Sequence, residues 1–242
     1  MQLKPVLKKL LFTLPALALL GGISVWMLFQ HIPDWYEPPE VPQAEYQRVR
    51  DELLSAEDRF TADLVAGRPF EYVLEDRQLN EWISTRHAIW APAAKWIPEQ
   101  IENPVIRFLP DQVAVAGLLH FGDLKVIGSI HLSLDVVEDQ LSVKLLHLQG
   151  GSLPVPGSWV VNLLLEFWDE LGAKNLKDID LGGKTTSEEI AAQIARLPIG
   201  ALFPATARWP NGKQDFRLRG IRTEQGRLVL TVQPHSDKYS SK

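Results

Sequence analysis

Residues Val113–Gln149 read VAVAGLLHFGDLKVIGSIHLSLDVVEDQLSVKLLHLQ, and their alternation predicts three antiparallel strands joined by tight turns. The strands run over Val113–Phe121, Leu124–Val137 and Leu141–Gln149. In the second, Leu124, Val126, Ile130, Leu132, Leu134 and Val136 share one face, while Lys125, Ser129, His131, Ser133 and Asp135 take the other. A strand of that length reaches about 46 Å, well beyond the usual size. A turn at Gly122-Asp123 pairs Val113 with Leu132, Val115 with Ile130, Gly117 with Gly128 and Leu119 with Val126. A turn at Asp139-Gln140 pairs Val136 with Val143 and Leu134 with Leu145. The apolar parity then moves to Leu146 and Leu148, which requires a bulge near Leu145. Beyond it Gly128 meets Gly150, and His131 faces His147 on the non-core, solvent-facing side. Gly117, Gly128 and Gly150 thus form a row, read either as a tight bend or as a groove where a helix, a tryptophan ring or an acyl chain approaches the backbone.

Working outward, Val105–Leu109 adds another strand. Upstream, a helix over Gln43–Ala66 carries one stripe of Tyr46, Val49, Leu53, Ala56, Phe60 and Leu64 and is ended by Gly67 and Pro69. Phe70–Leu74 is a short strand, and Asp76 suits the N-cap of a helix bearing Leu79, Trp82 and Ile83. Downstream of a Leu153-Pro-Val-Pro156 corner, Ser158–Leu171 forms a helix whose apolar face includes Trp159 and Phe167, and a shorter helix spans Ser187–Leu197. The chain returns to β over Thr206–Trp209, Phe216–Arg222 and Leu228–Gln233, with turns at Asn211-Gly212 and Gln225-Gly226 and Arg208 opposite Asp215.

The N-terminus carries Lys4, Lys8 and Lys9 ahead of twenty uncharged residues, Leu10–Phe29. Those residues predict a transmembrane helix, with Trp26, Trp35 and Tyr36 at the outer interface and the lysines in the cytoplasm. Cleavage after the small-x-small Ala16-Leu17-Ala18 would leave an apolar terminus, so an uncleaved signal-anchor is the better reading. The expected organisation is a cytoplasmic terminus (1–9), a membrane helix (10–29), a proline-rich linker (30–42) and an extracytoplasmic domain (43–242). That domain is expected to be α+β, a long-stranded, curved antiparallel sheet packed with amphipathic helices. The expected location is a bacterial inner (cytoplasmic) membrane, crossed once, with the bulk of the chain in the periplasm.

Composition excludes several chemistries. The 242 residues contain no cysteine, so disulfides, thiolate metal sites and a cysteine nucleophile are ruled out. The chain's net charge is −5, and from Asp34 onward, where 22 of the 25 basic residues meet all 30 acidic ones, it is −8. Nucleic acid is therefore not an expected partner. The stretch from Ala205 onward runs against this trend, with eight basic and three acidic side chains. Asp178, Asp180 and Glu189 fall at positions one, three and twelve of a calcium loop, with Gly183 at six. Thr186 and Glu189 equally form a capping box, and no metal or cofactor is assigned. No hydrolase, phosphate-loop or dinucleotide motif occurs, so no catalytic residue is named and a non-enzyme is expected.

The phrase Asp76-Arg-Gln-Leu-Asn80-Glu-Trp-Ile, the long meander and the Gly-x-Leu-Pro-x-Pro corner resemble the YpmS-type bacterial single-span proteins over about residues 70–165. More distantly they resemble tubular lipid-binding domains. The resemblance implies a membrane-anchored, non-catalytic lipid-binding or lipid-handling module with membrane lipid as its partner. The expected groove is lined by Val115, Leu119, Val126, Ile130 and Leu132, with Gly117, Gly128, Gly150, Trp159 and Phe167. Arg217, Arg219, Arg222 and Arg227 are expected to meet headgroups or an envelope protein partner. Two alternatives are an envelope scaffold that recruits a partner through the basic C-terminal meander, and an envelope hydrolase without a recognisable motif.

Overall fold

A computed structural model describes residues 17, 19–89, 97, 101–121, 124–155, 192–193, 195–209 and 214–235. Its architecture is mostly antiparallel sheet, divided into two sheets. After a 3₁₀ turn at Gln43–Glu45, helix α1 (Tyr46–Ala66) leads into β1 (Phe70–Glu75) and helix α2 (Asp76–Ile89). Strands β2 (Ile101–Leu109), β3 (Gln112–Phe121), β4 (Leu124–Val137), β5 (Gln140–Gly150) and β6 (Leu153–Pro154) follow. The last four are β7 (Ala201–Pro204), β8 (Thr206–Trp209), β9 (Gln214–Glu224) and β10 (Arg227–Pro234). The larger sheet has the order β2-β3-β4-β5-β6, with β7 also on β5, and the smaller has β1-β10-β9-β8.

Helix α1 forms because apolar residues recur every three or four positions; Val49, Leu53, Ala56, Phe60 and Leu64 are its buried residues. Gly67 ends it in the left-handed conformation at φ 68°, which a glycine adopts without steric cost. Phe60 and Leu64 pack on the smaller sheet, where Phe60 stands among Phe70, Tyr72, Trp209 and Phe216 with centroids 4.7–5.6 Å away. Val49, Leu53 and Ala56 pack instead on Trp82 of α2.

The three strands expected together, β3, β4 and β5, do share one sheet, but the strands of the described residues divide between two. β1 pairs with β10 and closes the C-terminal meander from its far side. The chain then turns through α2, whose side chains occupy the outer edge of β2. Asn80 donates through Nδ2 to Ile106 O and accepts at Oδ1 from Ile106 N–H, both at 2.7 Å. Asp76 Oδ2 accepts from Phe108 N–H at 3.4 Å, and Phe108 O accepts from Gly226 N–H at 2.9 Å. Four helical residues advance about 6.0 Å and two strand residues about 6.6 Å, so residues 76 and 80 come into step with 108 and 106. Asp76 is therefore the first helical residue, and its carboxylate serves β2 rather than the cap.

The transmembrane expectation is also corrected. Among the described residues no helix is long and apolar enough to cross a membrane. Residues 19–29 are helical. Residues 10–16 and 18 of the predicted span lie outside the described residues.

The β3–β4 register is the predicted one throughout, including Gly117 opposite Gly128. The β4–β5 turn sits one residue earlier than expected, on Glu138-Asp139, so Val136 pairs with Leu141 and Leu134 with Val143. Both turn residues take positive φ, 49° and 65°, the geometry of a twist-compatible two-residue hairpin. The extra residue is Leu146, between the pairs Leu132–Leu145 and His131–His147. Beyond it the register is the expected one, with Gly128 opposite Gly150.

Candidate functional site

The face of the larger sheet that carries the glycine row also carries Val115, Leu119, Val126, Ile130 and Leu132, as their pairings require. Val126 is buried; Val115, Leu119, Ile130 and Leu132 are half-buried. Each glycine lies beneath a large side chain. Ile101 stands over Gly117, Leu119 over Gly128, and the Phe29 ring over Gly150. Close approach to the backbone is thus the use made of the row, and two of the three residues that exploit it, Phe29 and Ile101, are not among those expected to line the groove. Trp159 and Phe167 fall outside the described residues, as do the helix expected over Ser158–Leu171 and the calcium-loop residues Asp178, Asp180 and Glu189.

The aliphatic face ends at the β5–β6 corner, where the helical residues 19–29 are seated. Ser152 N–H donates to Leu28 O at 2.8 Å, and His31 Nδ1 lies 2.8 Å from Ser152 Oγ. Gly151, at φ +60°, presses its Cα against the Leu28 and Phe29 carbonyls, leaving no room for a Cβ. Above this seat the helix is apolar all round. Leu17, Leu19, Leu20, Ile23, Val25, Trp26, Met27 and Leu28 are each between 45% and 68% exposed, an unusual contiguous apolar surface for a water-facing helix.

The four arginines expected to meet headgroups are engaged. Arg217 and Arg219 both bind Asp139 of the β4–β5 turn, at 3.0 and 2.9 Å. Arg222 and Arg227 share Glu224 at 2.7 and 2.6 Å. Arg208 pairs with Asp215 at 2.7 Å, as the hairpin register predicts. A basic patch in the sequence is therefore largely an internal ion-pair set in the fold.

The opposite face of the larger sheet differs from expectation. His131 and His147 do face each other, stacked with centroids 3.9 Å apart. His131 is nevertheless buried, because Trp35 packs edge-on to its ring at 5.9 Å. Desolvation, with the His147 charge second, holds the His131 imidazole well below its ordinary value, at about 4. Next to it Tyr36 donates to Asn103 O at 2.8 Å; burial and Glu102 push its phenol up to about 12.

Among the described residues no three histidine or carboxylate side chains gather to hold a metal ion. A shallow polar concavity of about 740 Å³ lies beside Arg48, Asp51, Glu52, Ser55, Arg59 and Gln78. There Arg48 bonds to Glu45, Glu52 and Glu81, so its charge is spent within the fold. In comparisons with known proteins no family model matches the chain, and neither a curated protein nor a solved structure matches it.

Proposed function

We propose that this chain is a non-catalytic lipid-handling module in which the aliphatic face of the larger sheet receives an acyl chain. The observation that supports it is the seating of an all-round apolar helix at the corner where that face ends. A lipid surface would cover the exposed side chains of residues 19–29, and the seat would hold the sheet's aliphatic face against its ligand source. The proposal needs contact with a lipid surface and no passage through it. Each acyl CH₂ transferred onto such a face contributes about 0.8 kcal/mol, enough for a chain of modest length to bind without polar chemistry.

Native mass spectrometry of the full chain tests the reading. Wild-type protein is expected to carry lipid, and Gly128→Leu, which must displace Leu119 into the same space, is expected to lose it while keeping its circular dichroism. Lipid-free wild type, or unchanged loading in the variant, would refute the proposal. The headgroup role of the meander has its own test. Asp139→Asn releases Arg217 and Arg219, and at about 1 kcal/mol per basic residue near an anionic surface binding to phosphatidylglycerol vesicles should rise by roughly an order of magnitude. Unchanged vesicle binding would remove these arginines from the proposal.

A further inference from the structure

Residues 28–36 form a strap across the larger sheet. It is fastened at Ser152 by Leu28 O and His31, and at Asn103 by the Tyr36 hydroxyl. Phe29 lies on the aliphatic face, over Gly150, whereas Trp35 lies on the opposite face, against His131. The chain between them passes round the β5–β6 corner. Pro33 is buried in the same segment.

Beneath the strap the polar chemistry is incomplete. His131 Nδ1 lies 3.3 Å from Gln112 Oε1, which fixes a proton on Nδ1 in the neutral ring because an amide oxygen can only accept. Nε2 of the same ring is buried without a hydrogen-bond partner, and so is the Ser129 hydroxyl two residues away on the same face. A neutral imidazole tolerates this arrangement. An imidazolium does not, since it would place a proton on Nε2 with no acceptor and a charge against the stacked His147 ring.

The groups around His131 do not compensate such a charge. β3 presents Ala114 directly opposite and the neutral Gln112 beside it. β2 presents Arg107 beyond Ala114, a further positive charge that lies 3.7 Å from Asp76. β5 presents His147, and Lys144 opposite Ser133. The strap contributes an indole. The carboxylate on this face of β4, Asp135, is exposed, four residues along, and accepts from Val136 N–H.

We propose that residues 28–36 are a proton-released strap: protonation of the His131–His147 stack drives Trp35 off the sheet and frees the N-terminal helix from its fixed seat while both sheets stay folded. Release is local because the strap is held by one backbone hydrogen bond and a few side-chain contacts, whereas the strands beneath it are held by continuous ladders. The sign follows from the depressed His131 value. The released state binds more protons, so the docked state is fully favoured above about pH 6.5 and loses ground as pH falls towards about 4. The inference is independent of whether any lipid binds.

The chain has no cysteine, so Asp34→Cys in the full chain gives one attachment point for a pH-insensitive, environment-sensitive dye. Titration from about pH 7.5 to about pH 3.5 is expected to show a dye transition with its midpoint between about 6.5 and 4, ahead of any loss of far-ultraviolet circular dichroism. His131→Gln should flatten it. His147→Gln, a change at an exposed ring, should move the midpoint downward, because without the neighbouring charge the docked state tolerates a protonated His131 better. An identical transition in His131→Gln would overturn the proposal, as would an unmoved midpoint in His147→Gln. Dye and circular dichroism signals that change together in the wild type would overturn it as well.

Discussion

Asn80→Leu is expected to destabilise the fold by about 2–6 kcal/mol, because it strands two part-buried backbone groups at about 1–3 kcal/mol each. Ile106 N–H and C=O both lose their partner at 2.7 Å, and leucine has the volume to keep water from replacing it. For a domain of this size that corresponds to a melting temperature lower by about 5–15 °C. Asn80→Asp separates the two bonds. Its carboxylate still accepts from Ile106 N–H but sets a negative oxygen against Ile106 O, so its stability should lie below wild type. A loss under about 0.5 kcal/mol for Asn80→Leu, the range of ordinary surface changes, would show that the amide is not what closes β2.

The second large effect is expected at Gly151. Its φ of +60° costs a β-branched residue about 1–2 kcal/mol. A valine Cβ there would also strike the Leu28 and Phe29 carbonyls. Backbone cannot yield as a flexible side chain can, so Gly151→Val should unseat residues 28–31 and forfeit the Ser152–Leu28 bond, worth about 0.5–1.5 kcal/mol more. The strain, which falls on the seated state, by itself raises the unseated population by roughly 5- to 30-fold, and the clash raises it further. Limited proteolysis should report this as faster cleavage within residues 24–36, with fragments of the sheets as stable as in wild type. Ser152→Ala, which removes only the hydroxyl facing His31, should change the cleavage rate far less. Equal rates in wild type and Gly151→Val would mean that the corner does not hold the helix.

These two residues also mark where the sequence was legible. Strict alternation and a single conceivable turn at Gly122-Asp123 specified the β3–β4 pairing to the residue, since a slip of one would have turned every leucine to the wrong face. The next turn was misplaced because Glu138 and Asp139 occupy positions of positive φ that usually announce themselves with asparagine or glycine. The pairing of β1 with β10 is separated by most of the chain and leaves no local trace. His131 follows the alternation of a solvent-facing residue and is buried only because Trp35 comes across from a distant segment. Asn80 had a signal: an asparagine in a helix interior, one turn after an aspartate, is a poor helix former whose presence asks for a partner. Phe29 had none, because it read as one more apolar residue in an apolar run.

The splice between α2 and β2 also bears on how the molecule melts. The segment Asp76–Asn80 continues directly from β1, which belongs to the smaller sheet, yet its side chains complete the edge of the larger one. Gly226, in the β9–β10 turn, ties the same place from the other side, donating to Phe108 O and accepting from Asp76 N–H. Neither sheet can come apart without uncovering hydrogen-bonding groups of its neighbour. Both should therefore unfold in a single cooperative transition, with calorimetric and van't Hoff enthalpies in agreement, and Asn80→Leu should lower that transition as one, since the ties through Gly226 remain.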